Sequence, residues 1–298
     1  MRLSTRFLLS GRPKAPPESP EFVTHMAIDA ECRLWVMDYR GDRFLIFDLD
    51  GNLLETWGTS GSGDGQFDFA NAGSYMYNGI AFAPDGGFYV SDAANGRVQH
   101  FDADRQFVRS WAINDSDGMI SATSSWIAVG PDGNVYVVVN TDRGMIQVYS
   151  PEGELVRAFG SLADGPDHLS SNGPIAFDPA GHLWVMDRLE GSLVQFSPTG
   201  EIQTKIEPQE LGTFAISPVG TEPIGLAIDD AGRFFVTDIA SNNVFVYDPN
   251  GTFLFNWGGW GVHKGEFFAV FAVVVDGNGG VYVTDGGIPR IQKFQVQP

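Results

Sequence analysis

Apolar and polar positions along this chain recur as a unit instead of keeping one rhythm throughout. Residues 26–38 read MAIDAECRLWVMD: an apolar run, a short polar turn, and a second apolar run closed by Asp. The same shape returns as IAFAPDGGFYVSD (80–92), IAVGPDGNVYVVV (127–139), IAFDPAGHLWVMD (175–187), LAIDDAGRFFVTD (226–238) and VVVDGNGGVYVTD (273–285). The repeat length is about 50 residues. Each copy continues into a third apolar run, such as RFLIFDLDGN or NVFVYDPNGT, and the first five add a fourth, such as LLETWG or FLFNWG. Short runs rich in β-branched and aromatic side chains, separated by Asp, Gly and Pro turns, predict antiparallel strands.

A sheet of four short strands cannot bury both its faces alone, so neighbouring copies must stack on it. With six copies at this period, stacking around an axis predicts an all-β fold, a six-bladed β-propeller of four-stranded antiparallel blades. The sixth copy reaches Pro298 after its third run, and TRFLLSG (5–11) has the shape of the missing fourth strand. The N-terminal strand is therefore expected to complete the last blade and close the ring, removing its exposed edges. Residues 12–21 then form a linker, the blades begin near 24, 78, 125, 173, 224 and 271, and residues 1–298 form a single domain.

WGTSGSGDGQFDFA (57–70) is glycine-rich enough to suggest a phosphate cradle. Such a cradle needs a helix after it, and ANAGSYMYNGIAFAP has no 3.6-residue apolar rhythm. The stretch returns as WGGWGVHKGEFFAV (257–270), with Trp257, Gly265 and Phe267 matching Trp57, Gly65 and Phe67. Repetition at the same place in the blade cycle makes it a return connection between blades.

Composition narrows the function classes. A net charge of −19 opposes binding to nucleic acid and to anionic membranes, whose affinity comes largely from Lys and Arg. Cys32 is the only cysteine, which rules out a disulfide framework and a cysteine-rich zinc site. No run approaches the roughly 18 apolar residues of a membrane helix, and Phe7 to Leu9 is too short for a signal-peptide core. The expected location is the cytoplasm, or outside it with the leader absent from this sequence.

These features together resemble the NHL-repeat family of six-bladed propellers. The residues that carry the resemblance are RLWVMD and GGFYVSD, the arginines Arg43, Arg97 and Arg290 that open third strands, and the two glycine-rich connections. The resemblance implies an architecture more than an activity, because the family includes protein binders, RNA binders, sensor domains and a lyase. Asp38 and Arg43, Asp92 and Arg97, and Asp285 and Arg290 are expected to pair across the turn between second and third strands. Asp187 and Asp238 face Ser192 and Asn243 there, which makes them minor ligand candidates.

In a closed propeller, the long connections gather at one rim, where ligands and partners usually bind. The expected function is recognition of a protein, peptide or small apolar ligand by a monomer, with no cofactor. His25, Tyr75, Tyr77, Asn78, Trp126, Trp260 and Phe271 are the candidate residues. The alternative is a metal-assisted lyase or hydrolase in the central channel, holding zinc or calcium. The inner-strand column Thr24, Asn78, Ser125, Gly173, Ile224 and Phe271 lacks the oxygen ligands calcium requires. His25, His168 and His263 are the weak zinc set, since no His-x-Glu or His-x-x-x-His spacing joins them. No G-x-S-x-G nucleophile elbow accompanies a strand-to-helix turn.

Overall fold

A computed structural model describes residues 6–7, 22–72, 78–113, 126–139, 145–162, 165–207 and 223–296. They form six four-stranded antiparallel sheets arranged as the blades of a propeller. In the first blade the order from the axis outward is Val23–Ile28, Arg33–Asp38, Arg43–Asp48 and Leu53–Trp57. The ring closes as the repeat anticipates: Arg6–Phe7 pairs antiparallel with the strand Arg290–Gln295, Arg6 opposite Lys293 and Phe7 opposite Gln292.

Burial follows position in the blade. The second strands are covered on both faces by neighbouring blades, so Phe88–Asp92, Leu183–Asp187 and Phe234–Asp238 are buried at every residue. The outer strands have one face on solvent. Leu53–Trp57 accordingly alternates between half-buried and exposed positions. Between the first and second blades Trp35, Phe44, Phe67, Phe69, Phe88 and Phe101 form one cluster. Trp57 packs edge-on against Phe101 with ring centroids 4.9 Å apart.

The glycine-rich connections are built twice from the same parts. Gln99 accepts from the Gly65 amide at 2.9 Å and donates to the Gln66 carbonyl at 2.7 Å. Gln292 does the same to Gly265 and Glu266, at 2.8 and 2.7 Å. Arg97 pairs with Asp92 at 2.9 Å and donates to the carbonyls of Gly63 and Gln66. Arg290 pairs with buried Asp285 at 2.9 Å and donates to Val262, His263 and Glu266. Asp42 and Asn242, both at positive φ, cap the amides of Phe69 and Val270. Gly58 and Gly258 have φ of 102° and 124°, a conformation that favours glycine. The glycines therefore serve a tightly bonded return of the chain, and the Asp–Arg pairs fasten it to the blade. Asp187 has no arginine but serves the same connection in its own blade, accepting from the Ser170 amide and the Ser171 hydroxyl.

Candidate functional site

Chain entry into the inner strand is irregular in three blades that stand side by side. The inner strand shifts register between Pro223 and Gly225 in the fifth blade, Val270 and Val273 in the sixth, and Val23 and Met26 in the first. Each shift is a bulge, which re-aims side chains. Thr24, His25, Ile224 and Phe271 thereby border a central cavity of about 320 Å³. Across it stand Ile80, Trp126, Ile127 and Ile175 from the second, third and fourth blades.

An inner strand is also a sheet edge, whose axis-facing carbonyls need donors from elsewhere. Side chains supply several. Trp126 Nε1 donates to the Ile224 carbonyl at 3.3 Å, reaching from the third blade past the fourth to the fifth. Arg188 Nε donates to the Pro223 carbonyl at 2.9 Å, and its guanidinium lies 5.8 Å from the centre of the Trp126 ring. Thr237 Oγ1 donates to the Phe271 carbonyl. Trp126 is thus a buried crosspiece at the long-connection end of the channel.

His25 is the one titratable side chain among the described residues that border the cavity. Burial lowers its pKa to about 4, so the ring is neutral at neutral pH. Its Nδ1 and the Thr24 hydroxyl are buried without hydrogen-bond partners among the described residues. Phe271 is buried and packs edge-on against Phe22 at 5.5 Å.

The other candidate residues stand elsewhere. Asn78 is fully buried at φ 92°, its amide accepting from Ala93 N and donating to the Phe69 carbonyl, a backbone clamp with no face on the cavity. Trp260 is 71% exposed on the connection into the sixth blade, beside Phe268 at 44%. The Phe268 ring lies against Gly287 and the Phe271 ring against Gly286, so one turn carries both the outer and the inner aromatic. Tyr75 and Tyr77 lie outside the described residues, as does Ser125.

The three histidines do not converge. His25 borders the cavity, His168 approaches Ser170 at 3.5 Å, and the His263 amide donates to Glu266. Among the described residues no group of three or more His, Cys, Asp or Glu is placed to hold a metal ion. One imidazole and one buried hydroxyl in an aliphatic wall do not fit calcium, which takes six to eight oxygens, or zinc, which takes at least three protein ligands. Arg188 and the bulges were missed in the sequence. The only signal was Arg188 following Asp187, where other copies have Tyr39, Ala93 or Ile239.

The family model for the NHL repeat matches residues 78–101, which cover the inner three strands of the second blade. The second blade is an NHL repeat. No curated protein matches the sequence. Solved structures share the fold of this chain at low identity. A catalytically inactive histidine variant of virginiamycin B lyase from Staphylococcus aureus, with quinupristin, is 12% identical, with a TM-score of 0.66 over 99% of this chain and 100% of that one. A gluconolactonase from Xanthomonas campestris is 16% identical, with a TM-score of 0.68 over 99% and 90%. A protein of unknown function from Bacteroides thetaiotaomicron is 13% identical, with a TM-score of 0.69 over 99% and 76%. At such identities the likeness extends to the propeller itself. No helix among the described residues is long and apolar enough to cross a membrane.

Proposed function

We propose that this NHL propeller is a recognition module that takes a small apolar ligand, or the apolar side chain of a bound peptide, into the long-connection end of its channel. The observation that carries the reading is the cavity itself. It holds about 320 Å³, and its lining side chains are mostly Ile, Val and Ala, with polar atoms, largely of the backbone, supplying nearly half of the surface between them. Pockets of this size and lining are the usual form of small-molecule sites. His25, Trp126 and Phe271 are the sequence candidates that border it. The exposed rings of Trp260 and Phe268 extend the surface for a peptide-sized ligand, and aromatic anchors of this kind dominate binding energy at interfaces. Enzymes among the structural neighbours make catalysis on this scaffold a known outcome; among the described residues no group of three or more His, Cys, Asp or Glu is placed to hold a metal ion.

The test is a panel of neutral aromatic fragments followed by saturation-transfer NMR. Fragments should bind the wild-type protein and be lost from Val274→Phe, which fills the channel from a partly exposed wall position. A protein that takes up none of them at millimolar concentration ends the reading.

A further inference from the structure

The channel wall is selective in what polar chemistry it offers. Thr24 and His25 are consecutive on the first blade's inner strand, at its register shift, and both border the cavity. Each carries a buried polar atom without a partner among the described residues, Thr24 Oγ1 and His25 Nδ1. A buried polar group left unpaired is destabilising, and a ligand able to pair with it relieves that cost.

Charge is absent from the same wall. Among the described residues bordering the cavity there is no Asp, Glu, Lys or Arg. The chain as a whole carries −19. Among the described residues that border the cavity, an entering anion would find no cation to replace its hydration and a cation would find no carboxylate. The neutral imidazole is a donor at one nitrogen and an acceptor at the other. A hydroxyl both donates and accepts, so it pairs with His25 in either tautomer and either ring orientation. Size sets the remainder: an apolar cavity of about 150 Å³ accommodates benzene, so one of about 320 Å³ suits roughly a dozen non-hydrogen atoms.

We infer that the channel ligand is a neutral, apolar molecule of roughly a dozen non-hydrogen atoms bearing one hydroxyl, which pairs with a ring nitrogen of His25. This inference rests on the binding reading above and adds the ligand's chemical class to it.

Equilibrium dialysis of the full chain at neutral pH against naphthol, naphthalene and naphthoate tests both. These probes share one bicyclic body and differ in carrying a hydroxyl, nothing or a carboxylate. Naphthol should bind about tenfold more tightly than naphthalene, the effect of one net hydrogen bond, with naphthoate the weakest. In His25→Phe the ratio of naphthol to naphthalene affinity should fall toward one. Equal affinity for naphthol and naphthalene in the wild-type protein overturns the hydroxyl assignment and leaves an apolar site standing. Tightest binding of naphthoate overturns neutrality. Absence of binding by all three removes the inference together with the reading beneath it.

Discussion

At the scale of single residues, His25 is the most consequential side chain in the channel. Its pKa falls from 6.5 to about 4 because burial disfavours the imidazolium. A histidine depressed in the folded state contributes stability that is fully present above its unfolded pKa. That contribution is lost as pH falls from about 6.5 toward 4. The ceiling by pH 4 is about 3 kcal/mol, and less where channel water reaches the ring. Urea titrations at pH 7 and pH 4.5 should show wild type losing stability on acidification and His25→Gln losing measurably less; equal losses would discard the assignment. In the sequence His25 stood out only as a histidine near an inner-strand start. Its neighbour Thr24 was read only as one of two hydroxyls in an inner-strand column too poor in oxygen ligands for calcium. The register shift beside them leaves no signature in composition or alternation. Trp126 was legible as an aromatic at the rim. Its reach to Ile224 was not, because that contact spans 98 positions and skips a blade.

At the scale of the element, the two glycine-rich connections were the most readable feature of the chain. Their scaffold residues repeat in sequence because the same hydrogen bonds repeat in space. Positions outside that scaffold diverge: Ser60, Ser62 and Asp68 correspond to Trp260, Val262 and Phe268. The fold does not call for those three apolar residues, which is why they read as surface chemistry. The Asp285–Arg290 pair is the keystone of the second connection, since Asp285 caps the Phe268 and Ala269 amides while Arg290 holds three carbonyls. Arg290→Met leaves a buried carboxylate uncompensated and should cost about 3 kcal/mol at pH 7. Burial already raises the Asp285 pKa. Protonation therefore relieves the variant as pH falls into the carboxylate range, and its deficit against wild type should shrink there. Denaturant titrations at pH 7 and pH 4.5 measure this; a deficit that grew on acidification would contradict the account.

At the scale of the whole molecule, six copies of one unit fixed the architecture well before any side chain was placed, and the closing strand followed from counting runs. The channel site was far less legible, because it is made where the copies depart from one another. The fifth, sixth and first blades carry the bulges, while the second to fourth face them with regular inner strands. Ring closure makes a further prediction. Deleting residues 1–11 strips the outer neighbour from Arg290–Gln295 and leaves an unpaired strand edge. Thermal unfolding should move down by several degrees, and light scattering should report self-association that the full chain does not show; an unchanged melting curve would mean the two-residue pairing adds nothing. The same pairing has a consequence during synthesis. Arg6 and Phe7 are synthesised about 285 residues ahead of their partners Lys293 and Gln292. At ordinary elongation rates they wait roughly 15 to 60 s. Throughout that interval the nascent chain is an open arc of blades whose two ends have not met.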